Sequence, residues 1–266
     1  MKIDFQETTK DLAVRIDIHS KYGAKNIDPW MLDLIKLQPN DVILDVGCGS
    51  GKQCFSYYDY LNGKGTITGG DVSEDLLKQA RAEDARRGSG MKFITLDFNK
   101  RFPLENDTFD FVSCSFAIYY AENVPFTIDE MYRVTKMGGR LFTTGPMPEN
   151  KKLFYDIIRE ATHKEIPLMP GSSRFSTEFL STIKSLYSKV DLHIFENPLT
   201  FESVEPYLDY TRASMSEDRK LWSSFFSNKD DFEKVMQQIS EVAKRRLDQD
   251  GKLVMTKVVG GILATK

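Results

Sequence analysis

The sequence has little cysteine, little histidine, no excess of charge of either sign and no long apolar run. Its three cysteines, Cys48, Cys54 and Cys114, form no C-x-x-C pair, so a disulfide framework or structural zinc site is excluded as the organising device and no metal is expected. Lys and Arg total 36 against 39 Asp and Glu, a net charge of −3, which disfavours a general polyanion binder and makes nucleic acid an unexpected partner. No stretch approaches the roughly eighteen apolar residues of a membrane span, and the opening MKIDFQETTKDLAVR mixes charges where a secretory leader would be continuously apolar. A cytoplasmic protein without membrane insertion is the expectation. What is present, 266 residues with 41% hydrophobic and 28% charged, suffices for one large sheet-based domain or a core with an appendage.

Between residues 42 and 145, short β-rich runs alternate with helical patterns, which points to consecutive βαβ units and a parallel sheet covered on both faces. Strands are predicted at Val42–Val46, Thr66–Asp71, Lys92–Leu96, Phe109–Ser115 and Gly139–Thr144. Leu76, Leu77 and Ala80 mark one intervening helix, and Ile128, Met131, Tyr132 and Thr135 another. Gly138-Gly139 reads as a helix C-cap. Helices are also predicted around Asp28-Pro29-Trp30, over 153–163 and over 177–187, with a sixth strand over 190–195. The Gly260-Gly261 pair makes the final segment a bulged strand or a hairpin. The expected organisation is an N-terminal helical lid over 1–40, a Rossmann-like core over 41–200, a helical cap over 201–250, and terminal strand residues 251–266 completing a mainly parallel seven-stranded α/β sheet.

The run Val42-Ile-Leu-Asp-Val-Gly-Cys-Gly-Ser-Gly51 takes a buried strand straight into three glycines spaced by single residues, letting backbone amides approach a ligand at a helix N-terminus. Twenty residues past Gly51, Asp71 ends the second strand, where a carboxylate can accept from both hydroxyls of a ribose. A dinucleotide site would want G-x-G-x-x-G, yet Lys52 stands where the third glycine belongs. Asp45, just before the loop, suits a cationic ligand better than a pyrophosphate.

These residues resemble class I S-adenosylmethionine-dependent methyltransferases, in particular the small-molecule group that includes the ubiquinone and menaquinone biosynthesis methyltransferases. The resemblance covers about residues 20 to 145 and implies S-adenosyl-L-methionine as cofactor, with S-adenosyl-L-homocysteine as product. It places Asp45, Gly47, Cys48, Gly49 and Gly51 under the methionine and ribose, Asp71 on the ribose, and Val72 on adenine. Within Leu96-Asp97-Phe98, it implies that Asp97 bonds the adenine amine and Phe98 packs beside the ring. The run Phe109-Asp-Phe-Val-Ser-Cys-Ser-Phe-Ala-Ile-Tyr-Tyr120 resembles the fourth strand and its exit, where the Ser115 carbonyl would hold the cofactor's ammonium. Many relatives carry histidine or tryptophan at the end of this loop; here Tyr119 and Tyr120 stand instead, so no histidine base carries over.

Methyl transfer from a sulfonium is an in-line displacement that needs alignment and no enzyme nucleophile; a phenol or carbon acid acceptor adds the need for a base. Tyr119 and Tyr120 leave the fourth strand at its carboxyl end and either line the acceptor site or fill the sheet–helix interface. Strand alternation predicts that only one faces the acceptor. His19 is the remaining catalytic candidate, as part of a folding-over N-terminal lid. Tyr22 lies either near the cofactor's methionine end or in helix packing. His163 and His193 read as structural, Cys114 as a small buried residue, and Lys244-Arg245-Arg246 as a solvated helix face. Phe201, Tyr207, Tyr210, Trp222, Phe225, Phe226 and Phe232 either cap an apolar acceptor or form a core of their own. A small-molecule methyltransferase is the leading expectation, ahead of an RNA or protein methyltransferase and a non-catalytic cofactor-binding partner protein; a homodimer stays open.

Overall fold

A computed structural model describes residues 9–167, 169–215, 222–223, 225–226 and 228–266. The chain divides into two compact units, each with its own core. Of the expected lid and cap, residues 1–8, 216–221, 224 and 227 lie outside the described residues.

The first unit comprises Ile27–Pro148, Pro170–Phe195 and Val259–Lys266. It carries β1 (Val42–Val46), β2 (Thr66–Asp71), β3 (Lys92–Thr95), β4 (Phe109–Ser115) and β5 (Thr135–Pro146), together with the first half of β6 (Lys189–Phe201) and the second half of β7 (Leu253–Thr265), whose other halves fall in the second unit. Their spatial order is β3-β2-β1-β4-β5-β7-β6. Strands β1 to β5 pair in parallel, and β7 runs antiparallel to β5 from Arg140↔Thr265 to Pro146↔Val259. The mainly parallel seven-stranded sheet is therefore as expected.

The helices α2 (Ile27–Ile35), α3 (Lys52–Tyr60) and α4 (Glu74–Arg87) bury Met31, Ile35, Cys54, Tyr57, Leu77 and Ala80 with Ile43, Ile67, Phe93, Phe111 and Phe142 of the sheet. Leu44, Val112 and Cys114 alternate with these and are equally buried, as expected of a sheet covered on both faces. Helix α4 begins where Ser73 Oγ accepts from the Leu76 amide. It has Glu74 and Asp75 in its first turn and Arg86 and Arg87 in its last, and it stops at left-handed Gly88. Helix α5 (Val124–Val134) is capped by Asn123 and ends at Thr135.

Two expectations need correction in this unit. Gly138 is not a helix cap: with φ +76° it sits inside β5, within a register shift that takes the pairing from Phe109↔Thr135 to Phe111↔Arg140. Gly260-Gly261 makes no hairpin; both residues pair within a continuous β7. A Cβ at Gly260 would come within 2.9 Å of Met147 and Phe175, and one at Gly261 within 2.8 Å of Trp30, so the missing side chains admit close neighbours rather than a turn. Phe175 begins a π-helical turn, Phe175–Phe179, between α7 (Pro170–Arg174) and α8 (Leu180–Leu186).

The second unit comprises Met1–Asn26, Glu149–Met169 and Glu196–Val258. Its helices are α1 (Thr9–Tyr22), α6 (Lys152–Thr162), α9 (Val204–Ser214) and α10 (Lys229–Asp250). These bounds differ from the expected lid, core and cap: α2 belongs with the sheet, and α6 with the other helices. Phe201, Tyr207, Tyr210, Trp222 and Phe226 are buried together with Phe154, Ile157 and Ile239, so the aromatic-rich stretch supplies this unit's own core. Arg245 and Arg246 both pair with Glu160 of α6, tying one helix to another from an otherwise solvated face.

Candidate functional site

The carboxyl ends of β2, β1 and β4 lie side by side, and the expected cofactor residues converge there. The chain leaves β1 through Gly47 (φ +70°), Gly49 (+56°) and Gly51 (+87°), and α3 starts at Lys52. The Gly47 and Cys48 amides both donate to the Gly70 carbonyl, at 2.7 and 3.0 Å, which turns the loop toward β2. A Cβ at Gly47 would stand 2.7 Å from that of Ala117 and 3.8 Å from the Phe98 ring, so only glycine passes between them.

Asp71 is held from two sides: the Gly49 amide donates to Oδ2 and the Ser73 amide to Oδ1, each at 2.8 Å. Its carboxylate thus joins the loop to the α4 N-terminus and keeps lone pairs for a diol. Val72, next to it, is 67% exposed despite being apolar. Leu76 also remains exposed and lies 3.9 Å from the Cβ position of Gly49, while its neighbours Leu77 and Ala80 enter the core. Asp97 Oδ1 accepts from the Asn99 amide at 3.0 Å, and Oδ2 pairs with Lys100 at 2.9 Å. The Lys100 ammonium first, and then the Asn99 amide, hold this carboxyl below its ordinary range.

At β4, the pairing with β1 ends at Asp45↔Ser113. Because the next β1 amides turn to Gly70, the Ser115 carbonyl loses the partner that a continuing parallel ladder would supply. That leaves an acceptor at the strand end, where an ammonium can be held.

Asp45 differs from the direct cation contact expected of it. It is buried, Ser113 Oγ donates to it at 2.6 Å, and Cys54 Sγ lies 3.7 Å away. Burial pushes its carboxyl up to about 7, against the lowering effect of these two donors. Burial thus favours its neutral form up to about pH 7. Cys48, Cys54 and Cys114 are all buried free thiols, and the latter two are shifted upward, which removes them as nucleophiles.

Tyr119 and Tyr120 occupy a 3-10 turn, Ile118–Tyr120, rather than extended chain, so they do not point opposite ways: their ring centroids are 4.7 Å apart. Tyr120 is 64% exposed, and Tyr119 is half-buried beside Gly171. His19 and Tyr22 belong to the helical unit, where His19 meets Tyr210 edge-on at 5.9 Å and Tyr22 packs on Phe201 at 5.2 Å. The structure thus gathers Asp45, Gly47, Cys48, Gly49, Gly51, Asp71, Val72, Asp97, Phe98, Ser115, Tyr119 and Tyr120 in one unit, and His19 and Tyr22 in the other. Sequence reasoning did not single out Leu76 and Phe116, two further exposed apolar residues near these strand ends. The Ser73 cap fixes the phase of α4 and could have placed Leu76 outside the core, whereas nothing in the sequence marks Phe116.

A family profile described as a methyltransferase domain matches residues 37–169, half of the chain. The chain belongs to the class I S-adenosylmethionine-dependent methyltransferases. Among curated relatives, it is 30% identical over 118 residues to nocamycin O-methyltransferase of Saccharothrix syringae, covering 44% of this chain and 42% of that one. It is 36% identical over 106 residues to demethylmenaquinone methyltransferase of Symbiobacterium thermophilum, covering 39% and 41%. The chain thus spans about half the length of the curated relatives it matches. In fold it resembles the YcgJ protein of Bacillus subtilis, with a TM-score of 0.58 at 14% identity over 90% of this chain and 97% of that one. It also resembles phosphoethanolamine N-methyltransferase 2 of Haemonchus contortus in complex with S-adenosyl-L-methionine, with a TM-score of 0.54 at 14% identity over 99% and 60%. The cradle fits the family's cofactor: the glycine loop admits close backbone approach, Asp71 is fixed for a diol, and exposed Val72 and Leu76 offer apolar surface.

Proposed function

We propose that this protein transfers a methyl group from S-adenosylmethionine to a small-molecule acceptor by in-line displacement. The observation that carries the reading is the Asp71 carboxylate, fixed by the Gly49 and Ser73 amides beside the glycine loop, with the Ser115 carbonyl at the end of the strand on the loop's other side. When bound, S-adenosylmethionine supplies an electrophilic methyl on a sulfonium. Asp71 takes the ribose hydroxyls, Asp97 the adenine amine, Val72, Leu76 and Phe98 the ring faces, and Ser115 the ammonium. The Asp45 carboxyl, raised to about 7 when no ligand is bound, would be drawn toward its ionised form by a cationic ligand and would then attract it. Tyr119 and Tyr120 stand where an acceptor is aligned, at the carboxyl end of β4.

The small-molecule class rests on the net charge of −3 and on the names of the relatives, a nocamycin O-methyltransferase and a demethylmenaquinone methyltransferase. The test is saturable calorimetric binding of S-adenosylhomocysteine, followed by transfer of labelled methyl into a cell extract separated into small molecules, RNA and protein. Label in the small-molecule fraction supports the reading. Label in RNA or protein overturns the acceptor class, and binding without transfer overturns catalysis.

A further inference from the structure

Phe116 has the least expected backbone in the cofactor-bearing unit. Its φ is +57°, and the other non-glycine residues at positive φ among the described residues are Lys, Asn, Asp and His. A bulky aromatic residue is strained in this region and stays there only when its surroundings over-determine it. Here the determinant is visible: the Phe116 amide donates to both the carbonyl, at 3.3 Å, and the hydroxyl oxygen, at 3.1 Å, of Thr144, which is fully buried in β5. Beyond Thr144 the strand continues as Gly145-Pro146, and the proline has no amide with which to extend the pairing.

If the turn needed only a positive φ, glycine or asparagine would serve better. If the ring were needed for the core it would be buried, yet Phe116 is 38% exposed. Backbone preference does not account for phenylalanine at this position, and packing covers its ring only in part. The residue's place accounts for it: it follows Ser115 at the strand end, precedes Ala117, which lies against Gly47 of the cofactor loop, and stands one 3-10 turn before the Tyr119–Tyr120 pair.

We infer that Phe116 is an acceptor-facing, specificity-determining residue whose ring helps select flat aromatic acceptors, and that Thr144 is the positioning residue that holds it in its left-handed conformation. The inference rests on the methyl-transfer reading, and the two can fail separately.

The experiment uses the full chain saturated with S-adenosylhomocysteine and measures equilibrium uptake of 1,4-naphthalenediol as an aromatic probe, alongside thermal unfolding. Wild type takes up the probe saturably. In Phe116→Gly, probe affinity falls about tenfold or more while S-adenosylhomocysteine affinity stays within about twofold and the melting temperature holds or rises, because the strain is relieved. Phe116→Leu, which keeps apolar bulk and loses the ring, shows an intermediate loss. Thr144→Val weakens probe uptake and Thr144→Ser, which retains the hydroxyl, restores it. Equal probe affinity in Phe116→Gly overturns the proposal, as does no uptake by wild type or a parallel loss of S-adenosylhomocysteine affinity. A Thr144→Ser variant as impaired as Thr144→Val overturns the positioning role. If wild type fails to bind S-adenosylhomocysteine at all, the methyl-transfer reading falls, and this inference falls with it.

Discussion

Replacing Asp71 by alanine removes two hydrogen bonds that the structure shows and, on the proposed reading, two more to the ligand. The first pair is internal: the Gly49 and Ser73 amides lose an acceptor at 2.8 Å each. Hydrogen bonds to a charged group contribute about 1.5–3 kcal/mol each when buried, and Asp71 is only half-buried, so a total folding loss of about 2 kcal/mol is expected. The second pair is with the ligand. Loss of two charge-assisted bonds to the ribose costs about 2–4 kcal/mol, which weakens S-adenosylhomocysteine about 30-fold to 1,000-fold. Calorimetric titration reads the affinity, and thermal unfolding without ligand reads the folding loss. To assign the binding loss to the ribose rather than to a slack loop, the titration is repeated with the 2′-deoxy form of the ligand. Wild type should lose affinity for it, whereas Asp71→Ala should bind both forms alike, since the hydroxyl has no partner left. A folded Asp71→Ala protein that binds S-adenosylhomocysteine within about twofold of wild type would refute the reasoning.

Asp45 sets a pH dependence. Its folded value of about 7 lies above the ordinary carboxyl value, so the folded state holds a proton that the unfolded chain gives up, and stability falls as pH rises from about 4 through about 7. Asp45→Asn should therefore stabilise the protein more at pH 8 than at pH 5, by an order of 1–4 kcal/mol, and a gain independent of pH in urea titrations counts against this. Gly51→Ala brings a Cβ to 2.9 Å from Phe55 and 3.2 Å from Phe93 at a φ of +87°, whereas Gly88→Ala meets nothing within 4 Å at +67°. Urea unfolding should show the first costing about 2 kcal/mol more than the second, and equal costs would remove the steric argument. Tyr119→Phe or Tyr120→Phe should lower turnover about tenfold or more while leaving S-adenosylhomocysteine affinity unchanged; if the double variant turns over normally, neither hydroxyl takes part.

The strands whose bounds were legible in the sequence, β1, β2 and β4, are mostly buried runs, the first passing straight into Gly47 and the others ending at Asp71 and Ser115, where composition and position agree. What escaped depends on partners distant in sequence. Strand β5 begins at Thr135 because Thr135 pairs with Phe109, and nothing local announces that pairing. The helix predicted over 177–187 begins earlier, at Pro170, and passes through a π turn, for which no hydrophobic period exists; Phe175 is instead accommodated by Gly145 and Gly260. For the aromatic residues after Phe201, composition shows that they must be covered but not by what, and the structure covers them with Phe154, Ile157 and Ile239. In the candidate site, the glycine loop and Asp71 stood out in the sequence because their spacing suits a nucleoside, and Asp97 through the family resemblance; the structure gathers all three in one unit. The direction of Asp45 was not legible, because it follows from Ser113 and Cys54 on other elements.

The two ends of the sheet show why chemistry locates the site better than open space does. A cavity of about 520 Å³ lies at the amino ends of β1 and β4, lined by Lys36, Gln38, Asp41, Asp110 and Arg140 among others. Both of its carboxylates are already paired: Arg140 pairs with Asp41 at 3.1 Å, and the neighbouring Lys136 pairs with Asp110 at 2.9 Å. The carboxyl ends are arranged in the opposite sense. There the β1–β4 ladder ends at Asp45↔Ser113, Val72 and Leu76 keep apolar surface exposed, Phe116 holds a strained backbone, and the Asp45 carboxyl is buried. Each of these is unfavourable for the isolated fold, and a ligand cationic at one end and flat and apolar at the other would offer them partners. A sequence under selection for stability alone would not gather such terms on three adjacent strand ends, so their coincidence argues for a site there.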